Sequence, residues 1–281
     1  MAFRMLSAQL LRTHISGVRV SQPRIIGGVG LGRHCSLLPS LTAGLKRYNT
    51  AVGTSDTSES TAAATAAAAA AAATAATARR IGVDPDLFRA QCLIDGGWLG
   101  AHGGATIPVT NPATGETLVR VPAMGASETA VAVAAAARAF PAWAAQTAAA
   151  RSTTLRKWND LILDNGDDLA RIMVAEQGKP LAEAKGEVAY AASFVEWFAE
   201  EGKRAYGEVI PGHNTDSRLF TLRQPIGVTA AITPWNFPLA MITRKAAGPL
   251  PSYQSSPLFS AALLYINLST RTSLEGGITI N

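Results

Sequence analysis

One apolar stretch limits the folds open to this chain more than any other feature. It runs Ile226-Gly-Val-Thr-Ala-Ala-Ile232 and is closed by Thr233-Pro-Trp-Asn-Phe-Pro238. Such a run favours a β-strand, and its near-continuous apolar character is typical of a parallel strand covered on both faces. Pro234 ends the strand because proline lacks an N–H and fixes φ. The sequence therefore predicts an α/β fold with Trp235 and Asn236 at the carboxyl end of a parallel strand, where such sheets bind ligands.

The first 50 residues differ from the rest in charge. They hold none of the 20 acidic residues and seven of the 25 basic residues, which are Arg4, Arg12, Arg19, Arg24, Arg33, Lys46 and Arg47. Basic residues spaced singly among Leu, Ile and Ser are typical of a mitochondrial transit peptide, so residues 1–50 are interpreted as one and a matrix location is predicted. The alternative, a nucleic-acid-binding arm, favours basic residues in a block.

The remainder of the chain indicates neither a nucleic-acid partner nor a membrane segment. Beyond residue 50, 18 basic and 20 acidic residues give a net charge of −2, so the pI of 9.5 reflects the presequence. The longest apolar run there, residues 258–268, is too short to span a bilayer. Cys35 lies in the presequence, so Cys92 alone makes no disulfide framework or zinc site, and no metal is predicted.

Residues 51–80 form a low-complexity segment rich in Ala and Thr, with an unbroken alanine run at 66–73. Alanine favours helix but offers no large apolar face to bury. The segment is therefore predicted to be a fraying or disordered linker, with ordered structure starting near Asp84.

Short strands and helices alternate after residue 84. Strands are predicted at 91–94, 107–111, 117–121, 207–211, 217–223 and 226–232. Helices are predicted at 128–140 with Ser127 as N-cap, and at 148–163, 167–177 and 181–203. The last helix carries an aromatic stripe of Tyr190, Phe194, Trp197 and Phe198, which is interpreted as core packing, with a ligand surface as the alternative.

Asn236 is the clearest candidate for chemistry. An asparagine amide at the end of a strand can donate to an oxygen that becomes negative during attack on a carbonyl, an interaction typically worth about 3 to 4 kcal/mol. From local pattern alone a second interpretation stays open, in which Asn236 caps a helix beginning at Phe237.

Several short motifs in order resemble the aldehyde dehydrogenase superfamily. Besides Pro-Trp-Asn-Phe-Pro at 234–238, they are Asn111-Pro-Ala-Thr-Gly-Glu116, Glu176-Gln-Gly-Lys-Pro-Leu-Ala-Glu183, Gly186-Glu-Val188 and Arg223-Gln-Pro-Ile-Gly-Val228. The segment Ala240-Met-Ile-Thr-Arg-Lys245 is most similar to the mitochondrial succinate-semialdehyde dehydrogenase branch. The resemblance covers about residues 82–247 and implies residues 81–247 as the amino-terminal part of that domain, with 205–224 as a hairpin of its oligomerisation region.

The resemblance also implies a function and a set of site residues. It implies NAD-dependent oxidation of succinate semialdehyde, a small aldehyde carboxylate, by a homo-tetramer. Ile232, Thr233, Pro234 and Trp235 would line the NAD site, and Asn236 would be the oxyanion donor. Arg244 would meet the distal carboxylate of the substrate. A salt bridge on its own helix is the alternative role for Arg244.

The resemblance ends after Ala247. Gly248-Pro-Leu-Pro251 interrupts the family's helix, and residues 248–281 are interpreted as a divergent tail. The family's nucleophilic cysteine and general-base glutamate have no counterparts. Cys92 has no histidine or helix amino terminus close to it in the sequence that would lower its pKa, so it is interpreted as a small buried residue. The fold implied is an incomplete aldehyde dehydrogenase fold, predicted to be inactive by itself. The alternative is a non-catalytic isoform that binds or modulates full-length subunits.

Overall fold

A computed structural model describes residues 57–248 and 265–267, with side chains from 65 to 248. The helices are α1 Thr57–Ile81, α2 Ala126–Ala144, α3 Ala148–Asp164, α4 Gly166–Gln177, α5 Leu181–Glu201 and α6 Ala240–Ala246. The strands are β1 Cys92–Ile94, β2 Gly97–Leu99, β3 Thr106–Thr110, β4 Thr117–Pro122, β5 Val209–Pro211, β6 Arg218–Phe220, β7 Ala231–Thr233 and β8 Tyr265–Asn267. This mixture of helices and short hairpins confirms the predicted fold class.

The strands of the described residues form four two-stranded sheets. β1 with β2, β3 with β4, and β5 with β6 are antiparallel pairs. The turn between β3 and β4 is closed by the Asn111 N–H, which donates to the Glu116 carbonyl at 2.9 Å, and Gly115 takes the φ of 71° that favours glycine. Residues 112–115 therefore form the turn that joins β3 to β4.

The core lies among the helices. α5 packs against α3, α4 and α6, and its buried face consists largely of alanine and valine, which permits close helix approach. The largest fully buried side chains of α3 and α4 are Leu155, Ile162, Leu169, Ile172 and Met173. A smaller cluster joins β1 to α2 and contains Cys92, Ile94 and Met124.

The prediction of a disordered linker over 51–80 is wrong for its described part. Residues from Thr57 onward are helical in α1. Ala78 is fully buried, and the Thr77 hydroxyl donates to the Leu118 carbonyl of β4 at 2.8 Å. Arg80 pairs with Glu116 at 2.8 Å. The prediction assumed that a helix needs a large apolar face in order to pack. Here a small residue such as Ala78 achieves packing in another way, because it lets the helix backbone approach β4 closely.

The start of α2 also differs from the prediction. Ser127 is inside the helix, and Gly125 is the N-cap. The Glu128 carboxylate accepts the Gly125 N–H at 3.0 Å and the Ser127 hydroxyl at 2.8 Å. The helix continues through Pro141 to Ala144. The Glu128 carboxylate, at the third helical position, thus accepts the N–H group of the N-cap residue. The sequence analysis assigned the capping role to Ser127 instead.

The strand predicted at 226–232 is shorter than expected, since β7 covers only Ala231–Thr233. The prediction that this strand is parallel is confirmed, because β8 pairs with β7 in parallel register, with Ile232 opposite Ile266. The rest of the tail and the predicted presequence 1–50 lie outside the described residues. Among the helices that the structure describes, none combines the length and apolarity that crossing a bilayer requires.

Candidate functional site

The site is built on the corner between α4 and α5. α4 ends at Gln177, and Gly178 adopts the left-handed φ of 79°. A side chain at Gly178 would lie 2.9 Å from the Pro112 ring, so the corner needs glycine for both space and conformation. Pro180 then precedes the first turn of α5. Lys179 is therefore fixed between two helix ends.

Lys179 forms an ion pair with Glu187, two turns along α5. The Nζ and Oε2 atoms are 2.5 Å apart, and the side chains are only 10% and 1% exposed. The other carboxylate oxygen, Oε1, accepts the N–H groups of Leu239 and Ala240 at 2.9 and 3.2 Å. Glu187 thus joins α5 to the beginning of α6.

The backbone that precedes α6 is held from the same corner. The Asn236 carbonyl accepts from Gln177 Nε2 at 3.0 Å and from Lys179 Nζ at 3.1 Å. Gln177 Nε2 also lies 3.4 Å from the Trp235 carbonyl. The Lys179 ammonium stands 4.2 Å from the centre of the Phe237 ring, a cation–π contact.

The carboxamide of Asn236 is exposed. The interpretation that it caps a helix beginning at Phe237 is wrong, because α6 begins at Ala240 and its first N–H groups are taken by Glu187. Within the described part of the chain, no hydrogen bond engages the Asn236 side-chain amide. Both of its N–H donors are therefore open toward solvent.

The four residues assigned to a cofactor surface do not share one environment. Ile232 and Trp235 are 56% and 53% exposed, and Pro234 is exposed as well. Thr233 is buried, and its hydroxyl has no hydrogen-bond partner among the residues described. The carboxyl end of β7 thus presents an open apolar surface beside Asn236.

Arg244 lies on the exposed side of α6. Its guanidinium contacts the Met241 sulfur at 3.2 Å and stands 6.0 Å from the centre of the Phe194 ring. Of the carboxylates in the described ranges, none pairs with it, so the expected alternative of a salt bridge on its own helix is not seen. A row of ring contacts connects Phe194 to Tyr190 at 4.7 Å and Tyr190 to Phe237 at 6.5 Å. Arg244 and the turn of Asn236 therefore border the same aromatic row.

The aromatic stripe of α5 is only partly a core feature. Phe194 and Phe198 pack against the core, but Tyr190 and Trp197 are 46% and 63% exposed. The prediction of core packing is thus wrong for two of the four side chains. The core-facing positions of α5 are occupied instead by smaller residues, which bring the helix closer to α3 and α4.

Cys92 is buried in the smaller core cluster, whereas Leu239 and Ala240 belong to the larger one. Its burial confirms the interpretation as a small buried residue. In the described residues, no group of His, Cys, Asp and Glu side chains has the arrangement of a metal site.

Sequence reasoning missed Gln177, Lys179 and Glu187 as site residues. A signal for Glu187 exists, because Ala184 and Ala191 lie three residues before and four residues after it, so the glutamate falls on the apolar face of its helix. A carboxylate in such a position needs a cation or N–H groups to offset its lost hydration. Its partners lie up to 53 residues away and follow only from the fold.

Comparison with known proteins identifies the proteins to which this chain is similar. The sequence profile of the aldehyde dehydrogenase family matches residues 98–251. A succinate-semialdehyde dehydrogenase of Escherichia coli named for NADP(+) is 57% identical over 201 residues, which is 69% of this chain. The mitochondrial succinate-semialdehyde dehydrogenase of rice is 57% identical over 159 residues, or 57% of this chain. The crystal structure of succinate-semialdehyde dehydrogenase from Burkholderia pseudomallei covers 66% of this chain with a TM-score of 0.60 and 51% identity.

These matches cover only part of each relative. The chain spans 42% of the E. coli protein and 30% of the rice protein. It likewise spans 36% of the Burkholderia chain.

Proposed function

Since the chain belongs to the aldehyde dehydrogenase family, we propose that it forms the oxyanion-binding side of an active site that oxidises a short aldehyde carrying a distal carboxylate. Succinate semialdehyde is the substrate that its relatives favour. The observation that carries the proposal is that Asn236 is exposed and that its carboxamide makes no hydrogen bond within the described residues, while Glu187 accepts the N–H groups at the start of α6.

Asn236 has a defined role in this proposal. Attack on an aldehyde carbon makes its oxygen negative, and a preorganised amide donor stabilises that charge by about 3 to 4 kcal/mol. The amide is fixed in advance because its own carbonyl is held by two donors. Asn236 therefore donates without first having to be ordered.

Arg244 supplies selectivity for the carboxylate end of the substrate. Its guanidinium carries a full charge and, within the described chain, no carboxylate neutralises it. A guanidinium binds a carboxylate through charge-assisted hydrogen bonds. The aromatic row between Arg244 and the Asn236 turn offers an apolar surface to the short carbon chain between the two ends of such a substrate.

The apolar end of β7 fits a nicotinamide dinucleotide. Ile232 and Trp235 are 56% and 53% exposed there, and their apolar surfaces suit the flat nicotinamide ring. When bound, the cofactor would accept the hydride released as the aldehyde is oxidised. The relatives include a protein named for NADP(+) and one whose crystal structure is a complex with NAD+, and we propose NAD for this chain.

We propose further that the 281-residue chain does not turn over substrate by itself. Oxidation in this family passes through a thiolate that attacks the aldehyde, and Cys92 is buried in a different core cluster from the turn of Asn236. The assay is NADH or NADPH absorbance with succinate semialdehyde and the purified chain. Turnover that Cys92→Ser abolishes would show that the nucleophile is misassigned.

Ligand binding tests the proposal without turnover. Titration calorimetry with succinate semialdehyde should show binding that Arg244→Gln weakens by about tenfold or more, because one charged contact is lost. Arg223→Gln is the matched control, since Arg223 is exposed and lies before the β7 region. Equal affinity in wild type and Arg244→Gln would refute the assignment of Arg244.

We also propose that residues 1–50 direct the protein to the mitochondrial matrix, in agreement with the mitochondrial relatives of rice and Arabidopsis. A fluorescent fusion should localise to mitochondria, and deletion of residues 1–48 should leave it in the cytosol. A signal that the deletion does not move would refute this assignment.

A second function is favoured by the β5–β6 hairpin. Its cross-strand pair Val209 and Phe220 is 83% and 67% exposed. We propose as the alternative that this face lets a non-catalytic form bind full-length subunits of the same family. Co-purification of the tagged chain with a full-length subunit supports this alternative, and its loss in Phe220→Ser locates the contact.

A further inference from the structure

Three polar side chains converge on the turn that carries Asn236, and none of them contacts the substrate in the proposed function. They form what we call the corner cluster: Gln177, Lys179 and Glu187. The first two both donate to the Asn236 carbonyl, at 3.0 and 3.1 Å. Glu187 holds the other end of the turn by accepting two backbone N–H groups at the start of α6. The turn is thus fixed at both ends from one helix corner.

We propose that the corner cluster is a positioning device for Asn236. A carboxylate from α5 accepts the N–H groups at the start of α6, where the N-cap residue Leu239 has no side-chain acceptor of its own. The Asn236 carboxamide has no hydrogen-bond partner among the described residues, and the two donors on its carbonyl fix the direction in which its side chain leaves the backbone. This inference rests on the proposed oxyanion role of Asn236 and adds the residues through which that role is prepared.

Burial makes the cluster sensitive to the loss of one member. The Lys179 and Glu187 side chains are 10% and 1% exposed, so each depends on the other to offset its lost hydration. Removing only one leaves an unpaired buried charge, which destabilises the fold by itself. The paired variant Lys179→Met/Glu187→Leu avoids this effect, because it removes both charges and keeps apolar volume in the site.

Hydrogen exchange at Leu239 and Ala240 is the first test. In the 281-residue chain carrying the paired variant, exchange of these two amides should become faster by about tenfold to a hundredfold, because their shared acceptor is gone. Glu196→Leu is the matched control, since Glu196 is an exposed glutamate on the same helix. Unchanged exchange in the paired variant would overturn the proposal.

The Asn236 side-chain amide is the second test, and it reports positioning. Its NH₂ signal in a ¹⁵N spectrum is assigned by its loss in Asn236→Ser. The signal should shift in Gln177→Leu and in the paired variant, and it should stay in place in Glu196→Leu. A merely structural cluster would change stability and leave this signal where it is, which would overturn the positioning role.

These readouts are independent of cofactor and substrate. If the chain binds no nicotinamide dinucleotide while the exchange and the Asn236 signal respond as described, the proposed function fails and the positioning of the turn stands. If the cofactor binds and neither readout responds to the variants, the corner cluster fails and the proposed function stands.

Discussion

The helical body, α2 to α5 (residues 126–201), and the hairpin segment, residues 205–230, use apolar residues in opposite ways. In the body, Leu155, Ile162 and Leu169 are completely buried. In the hairpin segment, Val209 and Leu222 are 83% and 74% exposed. The body closes its core with its own helices, whereas the described chain leaves the apolar side chains of the hairpin segment open to solvent. The same residue types therefore stabilise the fold in one region and provide contact surface in the other.

The two regions also differ in what fixes their conformation. Body helices are joined by buried polar contacts such as that of the Asn159 amide, which donates to the Ala192 carbonyl at 2.9 Å. The hairpin is fixed by close backbone approach, since a Cβ at Gly207 would lie 2.0 Å from the Thr221 carbonyl oxygen. Substitutions in the body should consequently change stability by altering packing. In the hairpin segment, the substitutions with the largest effect should be those that replace a glycine.

The largest expected effect compares two leucines. Leu155→Ala removes a fully buried side chain and should lower the free energy of unfolding by about 2 to 5 kcal/mol. Leu222→Ala in the hairpin segment, 74% exposed, should change it by about 0.5 kcal/mol or less. Urea unfolding followed by circular dichroism measures both. Similar losses for the two variants would mean that the hairpin segment has a core of its own.

The next effect concerns a buried charge in the body. Burial by itself raises the pKa of Glu128, but the N–H of His102, the Ser127 hydroxyl and the N–H of Gly125 outweigh it and lower the pKa from 4.5 to about 2. The carboxylate therefore stabilises the fold fully above about pH 4.5, and this contribution is lost as the pH falls toward about 2. Glu128→Gln should lower the free energy of unfolding at pH 7 by about 1.5 to 3 kcal/mol.

The control for that prediction is Glu208→Gln, an exposed glutamate of the hairpin segment. It should leave stability at pH 7 nearly unchanged. Below pH 4.5 the difference between wild type and Glu128→Gln should shrink progressively, because the unfolded wild type then binds a proton that the folded protein takes up only near pH 2. A constant difference from pH 7 to pH 3 would show that the Glu128 charge does not contribute.

The sequence predicted the body better than the segments on either side of it. Helical periodicity located α3 to α5 within a few residues, because amphipathic helices repeat their apolar residues locally. The same periodicity failed at α1, where alanines such as Ala78 pack by being small. At the site, Asn236 was found from its motif, but the corner cluster depends on contacts between distant residues. The parallel pairing of Ile232 with Ile266 is likewise non-local.

α1 offers a test of where the body ends. Ala78→Leu inserts a larger side chain where α1 meets the core and should lower the free energy of unfolding by about 1 to 3 kcal/mol. Ala72→Leu, at an exposed position of the same helix, should be nearly neutral. Thermal unfolding of the two variants makes the comparison. If neither variant changes the stability, α1 contributes nothing to the folded core, and the interpretation of this segment as a linker is correct.

The smallest expected effect on stability is at the hairpin face. Val209 and Phe220 face each other across the strands and are 83% and 67% exposed. The double variant Val209→Thr/Phe220→Thr removes little buried surface and places a residue that favours strands at both positions, so the free energy of unfolding should change by about 0.5 kcal/mol or less. Self-association should fall clearly, because an exposed apolar hairpin edge is a site where strands of other chains can pair. Sedimentation velocity over a range of protein concentrations measures this association.

The corresponding substitution in the body, Leu155→Thr, should instead unfold the chain and increase association. If the hairpin variant were to lose as much stability as the body variant, the hairpin face would be part of the chain's own core, and the contrast between the two regions would not hold.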